Sequence, residues 1–213
     1  MKKLFYLMGK SGSGKDSLFK ELIKDKELKP YILYTTRPAR NGEVNKKDYN
    51  FITKDELDKF EEDDLVMEVR HYKVACGDIW SYATIYDDQF NTDNDLITIG
   101  TLESYNSLKL NENSNYEIIP IYITVNDIDR KVRAYLRESK EENPNYDEID
   151  RRFQADEIDF SNENLYDSNI VDWFTNDNLN DCLEEIKDYI DLKKENVKKK
   201  IYKIVKYNFK NLN

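Results

Sequence analysis

Apolar residues in this chain fall into short runs separated by charged, periodic stretches. "LFYLM" at 4–8, "DLITIG" at 95–100, "EIIPIYITV" at 117–125 and a last run near 168–175 that ends in "NIVDWFT" are short and rich in β-branched and aromatic residues. That is the texture of buried strands. The stretches that follow them repeat at helical spacing. Leu18, Leu22 and Ile23 share one face after the first run, and "TLESYNSLKL", "NDIDRKVRAYLRESK" and "LNDCLEEIKDYI" follow the later ones. Strands alternating with helices predict a mostly parallel sheet with helices on both faces.

Between the first helix and the run at 95 the texture changes. "YILYTT", "DYNFIT" and "LVMEVRHYKV…IWSYAT" are short aromatic and β-branched segments divided by turn residues, as in an antiparallel insert. The expected organisation is a core of residues 1–31 and 92–190 and a small mixed insert at 32–91. The polar interruption "EENPNYDE" at 141–148, between two predicted helices, suits a mobile flap.

A chain of 213 residues can bury one sizeable core. Its 39% hydrophobic content is modest beside 36% charged residues, but the clear runs argue against disorder. The net charge of −10 argues against attraction to a nucleic-acid backbone. Eight lysines against Asp191 and Glu195 make 191–213 a +6 tail and leave −16 for residues 1–190. This tail is expected to extend the last helix and pack on the acidic body. No apolar run approaches the roughly 20 residues that cross a bilayer, and the start of the chain has no cleavable leader pattern. A cytoplasmic protein is expected. Cys76 and Cys182 fit neither a metal nor a disulfide pattern.

"GKSGSGK" at 9–15 completes the spacing G-x-x-x-x-G-K between a predicted strand and a predicted helix. Glycines let backbone N–H groups curl around phosphate oxygens, the helix N-terminus adds partial positive charge, and lysine reaches the terminal phosphates. Gly9, Ser11, Gly12, Ser13, Gly14, Lys15, Asp16 and Ser17 are therefore the expected ATP-binding residues. Asp16 stands where the pattern has a hydroxyl that ligates magnesium. A carboxylate is also a hard oxygen ligand, so Asp16 and Ser17 are the candidate Mg²⁺ ligands. The competing reading makes Asp16 a helix cap only.

Residues 35–53, "TTRPARNGEVNKKDYNFIT", bring two arginines and a tyrosine within reach of one anion. Together with the loop, this segment resembles the guanylate kinase family pattern T-T-R-x-x-R-x-G-E-x-x-G-x-D-Y-x-F, with a lysine at its second glycine. The resemblance implies a three-layer α/β phosphate-loop fold with a mostly parallel central sheet, a nucleoside-monophosphate-binding insert and a helical lid. It implies transfer of phosphate from ATP to a nucleoside monophosphate, GMP first. By it Arg37, Arg40, Tyr49 and Tyr82 hold the acceptor phosphate, Glu68 reads the guanine edge and Thr84 lies near the base. Arg137 and Arg152, with Lys15, act on the group in flight, and Asn176 lies near the adenine of ATP. Small-molecule nucleotides are the implied partners.

Where the family has D-x-D, this chain has Thr98 and Gly100, and Leu33 replaces a serine of the acceptor pocket. The loop with Gly-Lys-Asp also resembles ribose 1,5-bisphosphate kinases. A kinase for another phosphorylated acceptor and a non-catalytic binding module of the same fold are the alternative readings.

Overall fold

The computed structural model describes residues 2–24, 28–40, 42–73, 77–111, 116–141 and 144–194. Cys76 and the basic tail from residue 195 lie outside them. Along the chain run β1 (Lys2–Met8), α1 (Lys15–Leu22), β2 (Leu28–Pro30), β3 (Tyr34–Thr35), β4 (Asn50–Phe51), α2 (Lys54–Glu62), β5 (Val66–Lys73) and β6 (Ile79–Ile85). After a 3-10 turn at Asp88–Phe90 come β7 (Asp95–Ile99), α3 (Leu102–Leu110), β8 (Tyr116–Thr124), α4 (Asp127–Glu138), α5 (Tyr146–Asp159), α6 (Asn162–Asp167), β9 (Trp173–Thr175) and α7 (Leu179–Lys194).

The main sheet has the order β2-β7-β1-β8-β9, and all its pairings among the described residues are parallel. Parallel neighbours need crossovers, and helices supply them on both faces. This is why "LFYLM" reads as a continuous apolar run rather than an alternating one: Leu4 to Met8 are all fully buried. Phe5 and Leu7 point to the layer that holds Leu18 and Leu22 of α1 and Ile186 and Ile190 of α7. Tyr6 and Met8 point the other way, to Leu102, Tyr105 and Leu108 of α3 and to Phe160. The result is the three-layer α/β arrangement expected. Cys182 is buried in the first layer as an ordinary core thiol.

The insert is mixed, as expected: in its sheet, ordered β4-β3-β6-β5, β6 pairs antiparallel with β3 and β5, while the short β4 runs parallel to β3. It also contains α2, whose capping box joins Thr53 and Glu56. One expectation needs correction: the last apolar run is only partly strand. Asn169 takes a left-handed φ of 56°, and Ile170 turns into the α3 layer, so β9 begins at Trp173. Leu33 is buried with Leu4, Tyr31 and Phe90 in a cluster beside the sheet, a packing role rather than a polar one.

Leu7 sits fully buried between strands and helices. Leu7→Ala should cost about 2–5 kcal/mol through lost burial and the cavity left behind, read as a lower urea midpoint with an unchanged slope.

Candidate active site

The phosphate-loop sequence lies at the carboxyl end of β1, where the chain order switches between neighbours β7 and β8. Open parallel sheets bind ligands at such a crevice. Gly12 and Gly14 adopt φ of 81° and 87°, which L side chains rarely take. A Cβ on Gly12 would fall on the Arg130 carbonyl, and one on Gly14 on the Asn176 side-chain amide. The loop is thus pressed against two other elements. Asn176, at the end of β9, donates from Nδ2 to the Ser13 carbonyl at 2.8 Å and from its backbone N–H to the Thr124 carbonyl at 2.8 Å. Gly14 provides no side-chain cap for α1, so the first-turn N–H groups keep their capacity for an anion. Lys15 is half-buried, and Asp16 and Ser17 are exposed on that first turn.

Behind the loop lies a polar network that nothing in the sequence pattern announces. Arg130 of α4 is among the most deeply buried side chains. Its Nε donates to Asp127 at 2.6 Å, its Nη2 donates to Glu157, its Nη1 stands 3.6 Å from an Asp156 oxygen, and its guanidinium lies 4.5 Å over the Phe153 ring. Asp156 accepts from the Ser11 N–H at 2.6 Å, and Glu157 accepts from Lys10 at 2.6 Å. Two residues of the loop are held by carboxylates of α5.

The insert brings together residues expected to hold the acceptor phosphate. Arg37 is 3% exposed. Its Nε donates to the Tyr82 hydroxyl at 3.2 Å, and its guanidinium stands 5.4 Å from the Tyr49 ring centre. Tyr49 and Tyr82 meet edge to face at 5.8 Å. Burial and the neighbouring Tyr82 push the Tyr49 hydroxyl up to about 12, and the Asp16 charge adds to the shift. Tyr49 packs against the core cluster of Leu4, Tyr31 and Leu33, so the insert's tyrosines stand against the main sheet. Arg37 also forks onto Glu43 with two bonds of 2.9 Å, while Glu43 accepts from the Arg40 N–H at 2.7 Å. The Arg40 side chain is exposed.

Glu68 and Thr84 are buried together, the hydroxyl donating to Glu68 Oε1 at 3.0 Å. Glu68 also pairs with Arg70. Burial raises the Glu68 pKa, and Arg70 and Thr84 oppose that rise. The two positions that depart from D-x-D are both closely packed. Thr98 is buried, its hydroxyl donating to the Tyr31 carbonyl at 3.0 Å. The space a side chain would need at Gly100 is filled by the Tyr6 hydroxyl, which itself bonds Ser104.

Of the arginines expected near the lid, Arg152 is half-buried and donates to Glu148 at 2.8 Å. Arg151 and Arg152 pull the Glu148 pKa down to about 2. Arg137 lies exposed in the last turn of α4. One turn earlier, Arg133 is the residue that reaches the loop side, donating to the Asn176 carbonyl at 3.1 Å. His71 pairs with the Ser81 hydroxyl at 2.9 Å, consistent with a structural residue.

Glu43, Arg70, Arg130 and Asp156 escaped the reading of the sequence as site residues. Arg70 alone had a local signal, since residues two apart share a strand face. Among the described residues no cluster of three His, Cys, Asp or Glu side chains forms a metal cage, and no helix is long and apolar enough to cross a membrane.

A phosphate loop at a sheet switch point, opposed by an arginine- and tyrosine-lined insert, defines a phosphate-loop kinase of small molecules. A family model described as Guanylate kinase matches residues 1–193, and the chain belongs to that family. It is 28% identical over 198 residues to a guanylate kinase of Mesomycoplasma hyopneumoniae strain J, covering 89% of this chain and 94% of the relative. A guanylate kinase of Wolbachia sp. subsp. Brugia malayi is 25% identical over 206 residues, covering 92% and 94%. The crystal structure of guanylate kinase from Anaplasma phagocytophilum shares the fold, with a TM-score of 0.63 at 15% identity over 92% of this chain and 88% of that one.

Two expectations follow from these charges. Burial acts to raise the Glu43 pKa, but its bonds to Arg37 and the Arg40 N–H prevail and lower it. The pair then stabilises the fold fully above the unfolded carboxylate value of about 4.3, and that stability is lost as pH falls through the lowered folded value. The parent's stability advantage over Glu43→Gln should be complete at neutral pH and shrink in acid, as read by thermal melts. Asp156→Asn keeps an acceptor for the Ser11 N–H and removes a charge. It should tighten inorganic triphosphate binding about fivefold at low salt, with the gain fading as screening increases, measured by calorimetry.

Proposed function

We propose that this protein transfers the terminal phosphoryl group of ATP to GMP in the cytoplasm, as an enzyme of nucleotide supply. The observation that carries the reading is the Arg37–Tyr49–Tyr82 cluster, which brings one buried guanidinium and two phenol rings together in the insert. A donor phosphate on the loop and an acceptor phosphate on that cluster would approach from opposite sides.

The acceptor supplies its own nucleophile. A phosphate monoester has a second pKa of about 6, so its oxygen is already ionised at neutral pH and no general base is needed. The chain's work is positioning and charge neutralisation. The loop N–H groups and Lys15 hold the donor phosphates. Arg37 and Arg40 bind the acceptor phosphate, with Tyr49 and Tyr82 donating hydroxyl hydrogens. Glu68 and Thr84 read the base, and Asn176 fixes the adenine side. Arg152, Arg133 and, on closure, Arg137 meet the charge on the group in flight.

The donor set fits magnesium. Mg²⁺ keeps several waters and takes one or two protein oxygens plus substrate phosphates, and an exposed carboxylate at Asp16 and hydroxyl at Ser17 meet that need. When bound, the ion neutralises donor phosphate charge. Residues 32–91 and the lid at 137–152 are inferred to close over the core of 1–31 and 92–190, excluding water that would hydrolyse ATP.

A coupled assay of ADP release tests the reading, with GMP, ribose 1,5-bisphosphate or no acceptor. GMP-dependent turnover is expected, falling at least about a hundredfold in Lys15→Met, since removing one charge-stabilising group costs about 10²–10³ in rate. Turnover with ribose 1,5-bisphosphate instead would reassign the acceptor. No turnover with any acceptor would leave a binding module.

A further inference from the structure

The base-reading carboxylate is already heavily engaged. The side chains of Glu68 and Arg70 are 1% and 6% exposed. Arg70 donates from Nε to Glu68 Oε2 at 3.0 Å and from Nη2 to Oε1 at 3.3 Å, and Thr84 donates to Oε1 at 3.0 Å. An ionised carboxylate offers about four acceptor directions, so about one is left, on Oε2.

The guanidinium is not free to make room. Its Nη1 donates to the Thr101 hydroxyl at 2.8 Å, at the N-cap of α3. A planar fork pinned at Nε and Nη1 cannot turn Nη2 away by itself, and opening a buried ion pair leaves an uncompensated charge. No second acid can help from Gly100, because the Tyr6 hydroxyl fills the space of a side chain there.

We propose that Glu68, held by Arg70 and Thr84, reads a single base N–H, so that the acceptor site selects 6-oxopurine monophosphates as a class and does not read the 2-amino group. Guanine and hypoxanthine both present N1–H to the one open lone pair. Adenine presents a lone pair at N1 and is repelled. This specificity rests on the assignment of Glu68 as the base-reading acid in the proposed reaction.

The test compares kcat/KM for GMP, IMP and AMP at saturating ATP with the full chain. A site that pairs with both guanine donors rejects the analogue lacking one by about 10⁴-fold or more. Here the GMP to IMP ratio is expected below about a hundredfold, with AMP rejected. Thr84→Val, nearly isosteric, frees a direction on Oε1 while Arg70 keeps Glu68 charged. It should raise the ratio at least about tenfold, mainly through KM for IMP relative to GMP. Arg70→Lys, which keeps the charge but gives up the two-bond fork, should move it the same way. A parent ratio above about a hundredfold overturns the proposal while leaving GMP phosphorylation intact. A ratio that neither variant shifts also overturns it. Absence of turnover with every purine monophosphate overturns the underlying reaction as well. The parent comparison stands even where a variant fails to fold.

Discussion

The close packing of the phosphate loop against the Arg130 carbonyl and the Asn176 amide is the constraint on which the site depends. A loop that turns its N–H groups toward an anion has few internal hydrogen bonds to hold its shape. Here the shape is imposed from outside, by α4 at Gly12 and by the end of β9 at Gly14. Both supports are themselves fixed by the parallel sheet: β8 leads into α4, and β9 pairs beside it in register. The sheet order thus determines the loop geometry, and the loop determines where a donor phosphate can sit.

A second theme is charge held in readiness. Three cations near the candidate phosphate positions have a carboxylate partner: Arg37 has Glu43, Arg152 has Glu148, Lys10 has Glu157. In a chain of net charge −10 these pairs keep long cationic side chains ordered, at the cost of competition with an incoming phosphate. Phosphate carries more charge than a carboxylate and more acceptor oxygens, so the exchange favours substrate where the arginine can keep both partners. Glu43 and Glu148 are only partly buried, and their charges can be solvated if they are displaced. Glu68 differs, because its buried pair with Arg70 cannot be relieved by water.

Much of the fold was legible because parallel strands buried on both faces leave continuous apolar runs, and each run was followed by a helical period. β2, with the three residues Leu28–Pro30, and α6 were too short to leave such a trace. The loop and the arginine-tyrosine segment were legible because their chemistry is concentrated in consecutive residues. Arg130 and Asp156 were not, since their contact joins positions 26 apart on separate helices, and a charged residue on a helix ordinarily marks a solvated face. Arg137 and Arg133 show the same limit at finer grain: both have suitable chemistry, and only the rotation of α4 decides which one reaches Asn176.

The aspartate after the loop lysine takes a different meaning beside the rest of the site. Thr98 and Gly100, which stand in place of acids, are closely packed: Thr98 serves the Tyr31 carbonyl and Tyr6 fills the space at Gly100. In the same region the buried Arg70 pairs with Glu68. The base side is therefore less acidic than a D-x-D sequence would make it, while Asp16 makes the phosphate side more so. A carboxylate among phosphates is unfavourable without a cation, so the position of Asp16 on an exposed first turn, with Ser17 beside it, is the arrangement in which a hydrated divalent ion costs least to hold.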